Sequence, residues 1–309
     1  MDTQTVKNIN TWLQGNYAET DKNIIKEMMN NNPVALEDAF YRELEFGTGG
    51  LRGIMGIGTN RMNKYTVAMA TQGLCNYLQN ATKNRPIKIA IAYDSRNNSR
   101  YFSEVCAEVI SANNIEVFLF DDIRPTPELS FAIRHLNCNA GIVITASHNP
   151  KEYNGYKVYW NDGGQLVPPH DKNIIETIRK IKSIDEVKFN GNSQLIHIIG
   201  SDIDNIYINK LKTLSLHPAI IEKNKNLSIV YSPLHGTGRD IVPQTLKAFG
   251  FENVNCVKEQ SIADGNFPTV ESPNPENAEA LSMAIDYAKS IDADLVMRQT
   301  QIAIELVSR

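Results

Sequence analysis

Gly141-Ile142-Val143-Ile144-Thr145-Ala146-Ser147-His148-Asn149-Pro150 is the stretch from which the fold of this chain can be argued. Its β-branched run, Ile142 to Ile144, predicts a short buried strand. Small and polar residues follow the strand directly, and Asn149-Pro150 predicts a turn. Ser147 is therefore predicted to lie in a loop at the end of a strand, where open α/β sheets place their reactive groups. The alternative is an ordinary polar turn.

The segment after this loop, Lys151 to Trp160, is rich in aromatic residues and contains Asn154-Gly155. An Asn-Gly pair between such arms predicts a β-hairpin, which would fold Lys157 back toward Ser147. A hydroxyl with a nearby ammonium group suits phosphate chemistry. The alternative for Lys157 is a surface position on the hairpin.

A glycine-rich segment, Phe46-Gly47-Thr48-Gly49-Gly50-Leu51-Arg52-Gly53, precedes this region in the chain. Its glycines predict tight turns whose amide groups are exposed to an anion. Arg52 beside those amides predicts a phosphate cradle, with a plain flexible loop as the alternative. The segment is not a dinucleotide fingerprint, because Arg52 stands where the third glycine should be and no strand is predicted before it.

Composition predicts an ordinary globular protein. The 309 residues suggest two domains, and the hydrophobic content of 42%, the charged content of 21% and the net charge of −4 give no reason to expect a nucleic-acid or membrane partner. The four cysteines have no metal-binding spacing and are expected to be reduced and structural. No signal peptide or membrane-spanning run is apparent, so a cytoplasmic location is expected.

The chain contains an internal repeat. A strand ending in Tyr93 is followed by a polar loop with an arginine, a helix and a further strand, and the same order recurs after a strand ending in Tyr231. The first 45 residues, by contrast, show helical periodicity. The predicted fold class is α/β, with tandem similar three-layer α/β domains, mixed sheets and a cleft between the domains.

The loop after Tyr231 contains Gly236-Thr237-Gly238-Arg239, which lacks the Gly-Lys-Ser/Thr ending of a P-loop. His235 in this loop is expected to be a turn residue rather than a catalyst. Further along, Asn274 and Pro275 are predicted to begin a helix, as N-cap and first-turn residues.

The stretch from Thr145 to Lys157 resembles the active-site loop of the α-D-phosphohexomutases, the phosphoglucomutase and phosphomannomutase family. It is most similar to the phosphoglucomutase subgroup that includes phosphopentomutase-like members. The resemblance implies that Ser147 carries a phosphoryl group and that Arg52 lies near the phosphoserine. It also implies a domain with the phosphoserine loop at 1–195 and a second domain of the same family at 196–297.

The resemblance further implies the chemistry of the site. Ser147, His148, Lys157 and Arg52 would be catalytic, with Lys157 moving a proton at the sugar hydroxyl, and Thr48, Asn149 and Lys157 would bind substrate. Mg²⁺ would bind through the phosphate on Ser147. The partner would be a small-molecule sugar phosphate, with no nucleic acid and no membrane, and the oligomeric state is left open.

The tail, residues 298–309, departs from the family pattern. An acidic Asp-x-Asp-x-Asp-Arg loop is expected after the strand that ends near Met297, whereas this chain continues Arg298-Gln299-Thr300-Gln301. Deleting one base from codons for Ala-Thr-Asp-Pro-Asp-Ser-Asp-Arg-Val-Gly-Ile can yield Arg-Gln-Thr-Gln-Ile-Ala-Ile-Glu-Leu-Val-Ser. The hypothesis is a frameshifted remnant of the metal loop, with the family's third and fourth domains absent.

Three functional expectations follow from the resemblance and its alternatives. The first is a phosphosugar mutase that interconverts glucose 1-phosphate and glucose 6-phosphate through a bisphosphate, with mannose or deoxyribose phosphates as other possible substrates. The second is a catalytically inactive fragment that at most binds phosphate. The third, a serine hydrolase using Ser147 and His148, is disfavoured because adjacent side chains are expected to diverge and no Gly-x-Ser-x-Gly elbow is present.

Overall fold

A computed structural model describes residues 1–47, 50–82, 86–274, 279–299, 302 and 306–308. Residues 306–308 are described by their backbone only. The chain opens with three helices, as the periodicity of the first 45 residues predicts: α1 (Thr3–Gln14), α2 (Glu19–Asn31) and α3 (Pro33–Phe40). Trp12 stacks on Tyr17 and meets Phe40 edge-on, so these helices join the main core through aromatic contacts.

The first α/β unit is built on a six-stranded mixed sheet with the strand order β1-β5-β4-β2-β3-β6. Its strands are β1 (Gly50–Ile54), β2 (Lys88–Tyr93), β3 (Glu116–Phe120), β4 (Ala140–Ile144), β5 (Tyr153–Trp160) and β6 (Ile196–Ile199). β4, β2, β3 and β6 are parallel, whereas β5 is antiparallel to both of its neighbours, β1 and β4. The prediction of a mixed sheet is confirmed.

Helices cover both faces of this sheet: α4 (Lys64–Ala81), α5 (Ser99–Ala112), α6 (Thr126–His135) and α7 (His170–Lys180). Successive residues of β2 divide between the faces. Ile89 and Ile91 belong to the large core, which also holds residues of α4 and α5, while Ala90 and Ala92 pack with residues of α6. This gives the three layers that the sequence predicts.

The second unit has a four-stranded sheet with the order β10-β9-β7-β8. Its strands are β7 (Ile229–Ser232), β8 (Val254–Cys256), β9 (Leu295–Gln299) and β10 (Leu306–Ser308). Two helices precede its first strand, α8 (Ser201–Lys212) and α9 (Pro218–Lys223). Two more lie between its strands in the chain, α10 (Gly238–Phe249) and α11 (Glu279–Ser290). The predicted start of the last helix at Pro275 lies outside the described residues.

Two segments differ from their sequence-based assignment. Residues 196–199, placed in the second unit by sequence, form β6 and pair with β3 in the first sheet. The last strand, expected to end near Met297, continues through Arg298 and Gln299, and β10 pairs with it in antiparallel register. Residues 298–299 and 306–308 are therefore part of the second sheet.

All four cysteines are free thiols, and three of them are buried. In the described ranges, no helix combines the length and the apolar content needed to cross a bilayer.

The junction between the units contains a buried carboxyl group. Glu128, in the first turn of α6, is fully buried. Arg124 binds the neighbouring Asp204 of α8 through two hydrogen bonds of 2.7 and 2.9 Å. Burial raises the pKa of Glu128 from 4.5 to about 9, and the Asp204 carboxylate adds to the rise.

This shift predicts a pH-dependent stability. The unfolded chain releases the Glu128 proton above about pH 4.5, while the folded chain holds it until about pH 9, so the free energy of unfolding falls as pH rises across this interval. The slope from this group is up to about 1.4 kcal/mol per pH unit. Glu128→Gln should reduce that slope, which urea denaturation at several pH values between these limits would measure.

Glu104→Gln is the matched control, because the Glu104 side chain is half exposed and pairs with Arg100 on the surface of α5. It should leave the pH dependence unchanged. Equal slopes for the parent chain and Glu128→Gln would contradict the assignment.

Candidate active site

The loop after β4 presents Ser147 at the carboxyl end of a fully buried strand, as predicted. The Ser147 amide donates a 2.9 Å hydrogen bond to Thr145 Oγ1, and the Asn149 amide donates to the Ala146 carbonyl. Ser147 has φ = 57°, the left-handed region that non-glycine residues rarely adopt. Such strained positions persist where surrounding contacts hold them, and they concentrate at functional sites.

His148 lies closer to Ser147 than the sequence predicts. The expectation that the two side chains diverge is wrong, because Ser147 Oγ is 3.4 Å from His148 Nδ1. The distance is long for a hydrogen bond. Within the described ranges, no hydrogen bond joins His148 to a carboxylate that would orient it as in a catalytic triad.

The predicted hairpin at Asn154-Gly155 is also wrong. Both residues lie inside β5, and the turn is made instead by the Ser147 loop itself. A Cβ on Gly155 would lie 2.5 Å from the Thr145 carbonyl oxygen and 3.0 Å from that of Leu51. Glycine is required here because β5 is closely flanked by backbone on both sides, not because the chain turns.

Lys157 is carried by this strand, where it pairs with Val143 of β4 and Gly50 of β1. Its side chain is half-buried. Burial lowers the pKa of Lys157, and the neighbouring Arg52 lowers it further, while Asp94 opposes the change. Lys157 is therefore closer to the neutral amine form than a solvated lysine would be.

Arg52 lies on β1 with an exposed side chain, and its Nη1 donates a 3.3 Å hydrogen bond to Asn149 Oδ1. The glycine segment around it is more regular than predicted: Gly47 and Gly50 exchange backbone hydrogen bonds of 2.8 and 3.2 Å, and β1 begins at Gly50. Each of these two N–H groups donates to the carbonyl oxygen of the other glycine and is therefore not exposed for an anion. Thr48 lies outside the described residues.

The fold brings five of the predicted site residues together at one end of the first sheet. Ser147, His148 and Asn149 share one loop, and Arg52 reaches that loop through Asn149. Lys157 is close enough to Arg52 for the two charges to interact. A half-buried hydroxyl among basic side chains is suited to binding and transferring a phosphoryl group.

Two residues of this site were not predicted from the sequence. Asp94 and Arg96, in the loop after β2, are both buried and contact the Ser147 loop. The available signal was their position after a buried strand that neighbours β4 in a parallel sheet. His235 was expected to be a turn residue, and it is buried, with Nδ1 2.7 Å from the Ile262 carbonyl oxygen and Nε2 2.8 Å from Thr269 Oγ1.

The Mg²⁺ site that the sequence resemblance implies would need a cluster of side-chain ligands. In the part of the chain that the structure describes, no group of three or more His, Cys, Asp or Glu side chains is placed to hold a metal ion. The segment in which carboxylates are expected contributes Arg298 and Gln299 to β9. The described residues do not fit a carboxylate-held Mg²⁺, so the roles below are assigned to side chains of this chain alone.

Comparison with known families agrees with the sequence resemblance. Residues 43–185 match the model of phosphoglucomutase/phosphomannomutase alpha/beta/alpha domain I, and residues 205–299 match that of domain II.

Curated relatives include a phosphoglucomutase of Staphylococcus haemolyticus, which is 39% identical over 265 residues covering 84% of this chain and 47% of that protein. They also include a human phosphopentomutase, which is 36% identical over 300 residues covering 93% of this chain and 49% of that protein. The chain thus spans about half the length of the curated relatives it matches.

A solved structure with the same fold is that of a phosphoglucomutase/phosphomannomutase family protein from Burkholderia thailandensis, with a TM-score of 0.65 and 19% identity. The match covers 85% of this chain and 54% of that one.

The close packing at Gly155 gives a testable prediction. Gly155→Ala should lower the free energy of unfolding by about 1–3 kcal/mol, because the new methyl group meets main-chain atoms that cannot move aside independently. Gly47→Ala is the control, since a Cβ there would meet its nearest neighbour at an ordinary 3.8 Å, and its effect should stay within about 0.5 kcal/mol. Urea denaturation measures both, and equal effects would contradict the prediction.

Proposed function

The chain belongs to the phosphoglucomutase/phosphomannomutase family, and we propose that it contains the phosphoserine site of a phosphosugar mutase. The observation that carries the proposal is the placement of Ser147, held in a left-handed conformation at the end of β4 beside basic side chains. Phosphorylated Ser147 transfers its phosphoryl group to a free hydroxyl of a sugar phosphate. The resulting bisphosphate returns its other phosphoryl group to Ser147 Oγ.

Each transfer breaks one O–P bond, forms another, and moves one proton between the serine and sugar oxygens. Lys157 is proposed to move that proton, which the lowered pKa caused by burial and by Arg52 supports. His148, 3.4 Å from Ser147 Oγ, is a second group that can exchange a proton with the serine. The Arg52 guanidinium balances phosphate charge, and Asn149 and Thr48 are proposed to bind the substrate.

The family resemblance implies Mg²⁺ bound through the phosphate on Ser147, where the ion would supply positive charge to the phosphate oxygens. The described residues offer it no cluster of carboxylate ligands, so none of the residue roles above depends on it. A cytoplasmic location is proposed from the four free thiols.

Glucose phosphate is the proposed substrate, and phosphopentoses or mannose phosphate are alternatives. Support is divided, because the relatives include both a phosphoglucomutase and a phosphopentomutase. A panel of these sugar phosphates, assayed with Mg²⁺ for product formation, tests the choice.

An alternative proposal is that this chain is catalytically inactive and at most binds phosphate. The observation that favours it is the presence of Arg298 and Gln299 in β9, where the family resemblance implies metal-binding carboxylates. An assay with glucose 1-phosphate and Mg²⁺ should then give no glucose 6-phosphate. Measurable turnover would contradict this alternative and leave the phosphoserine proposal in place.

The phosphoserine proposal predicts covalent uptake of phosphate by this chain. Incubation with glucose 1,6-bisphosphate should add a single phosphoryl group, which intact-mass and peptide analysis should locate at Ser147. Ser147→Ala should reduce uptake to background because it removes the accepting oxygen. Ser193→Ala, at an exposed position away from the loop, should behave like the parent chain. Equal uptake by Ser147→Ala would refute the assignment.

A further inference from the structure

The buried guanidinium of Arg96 is hydrogen-bonded to four main-chain carbonyls of the Ser147 loop. Its Nη2 donates to the carbonyl of Ser147 at 2.7 Å and to that of Asn149 at 2.5 Å. Its Nη1 donates to the carbonyls of Pro150 at 2.9 Å and Tyr153 at 3.1 Å. One planar side chain therefore fixes the loop from Ser147 to the start of β5.

Asp94 holds the same loop from a second direction. Its Oδ2 accepts a 2.6 Å hydrogen bond from Thr145 Oγ1, which in turn accepts the Ser147 amide at 2.9 Å. Its Oδ1 accepts from the Arg96 amide at 3.0 Å and from Ser99 Oγ at 2.6 Å. Burial raises the pKa of Asp94 and lowers that of Arg96, and the opposite charge of each partner counters the shift.

A loop of the second unit, residues 262–267, packs against Arg96 of the Asp94–Arg96 pair. The ring of Phe267, which is 2% exposed, has its centroid 5.3 Å from Arg96 Cζ. Two neighbours make the approach close: Asn97 Nδ2 donates to Asn266 Oδ1 at 3.1 Å, and a Cβ on Gly265 would lie 2.3 Å from the Asn97 nitrogen. The 262–267 loop thus packs on the residue that holds the serine loop.

We propose that Arg96 is a positioning residue that keeps Ser147 in its left-handed conformation, and that the 262–267 loop strengthens this hold by packing Phe267 on the guanidinium. The backbone at Ser147 is unfavourable for a serine, so external contacts must maintain it. Arg96 acts through main-chain carbonyls and leaves the reacting oxygen free. The proposal deepens the phosphoserine function and rests on it for its chemical readout.

Arg96→Lys tests the proposal in the full 309-residue chain. Lysine keeps the charge and presents a single ammonium group, which cannot reproduce the four-carbonyl geometry. Amide hydrogen exchange in residues 145–153 should become at least about 10-fold faster, while the core of α4 stays protected. The rate of phosphoryl uptake at Ser147 from glucose 1,6-bisphosphate should fall at least about 10-fold, with little change in the half-saturating donor concentration.

Arg124→Lys is the matched control, because Arg124 is also largely buried and binds Asp204 through two hydrogen bonds. It should cost stability without changing exchange in residues 145–153 or the rate of phosphoryl uptake. Phe267→Leu keeps an apolar side chain and removes the ring from Arg96. It should accelerate exchange in the same residues by a smaller factor, about 3-fold.

The outcomes separate the two proposals. Unchanged exchange in residues 145–153 of Arg96→Lys, or faster exchange with an unaltered uptake rate, overturns the positioning role. If Arg96→Lys does not fold, Phe267→Leu decides, and unchanged exchange there overturns the inference. If the parent chain takes up no phosphate, the phosphoserine function of this chain fails, while the exchange measurement still decides whether Arg96 holds the loop.

Discussion

The ion pair between Asp94 and Arg96 is the interaction on which the arrangement of the candidate site depends. Arg96 Nε lies 3.5 Å from Asp94 Oδ2, and both side chains are excluded from solvent. Two opposite charges can remain in such a place because each also binds the main chain or a hydroxyl group. Apart from the Arg96 amide's own bond to Asp94, these additional bonds reach the loop after β4, the first residue of β5 or the start of α5, so the ion pair and the position of Ser147 form one structural unit.

The internal repeat places a comparable loop in each unit, and the two loops make different contacts. After β2 the loop supplies Arg96, which binds carbonyls of the Ser147 loop. After β7 the loop supplies His235, which spans Ile262 and Thr269 and so fixes both ends of the segment that contacts Arg96. The two equivalent loops are therefore connected by direct contacts. His235 holds the segment that contains Phe267, Phe267 packs on Arg96, and Arg96 binds the Ser147 loop.

Much of this fold follows from local sequence, and the parts that do not are set by long-range pairing. Strand β4, the serine in the loop after it and the helices of the first unit were predictable because β-branched runs and helical periodicity are local signals. The Asn154-Gly155 pair was misinterpreted because only the neighbouring strands show that glycine is needed for close backbone approach. The role of Arg96 was missed because its acceptors lie more than fifty residues away in the chain.

The edge position of β1 has a consequence for how the protein is made. This strand carries Arg52, and its neighbour in the sheet, β5, follows it by about a hundred residues. At the usual rate of translation, β1 leaves the ribosome several seconds before β5 is synthesised. Until β5 is available, the N–H and C=O groups of β1 that pair with it are hydrogen-bonded to water. The parallel strands β2, β3 and β4 can associate in the meantime, so we expect the sheet to form from its centre outward, with the strand that carries Arg52 joining last.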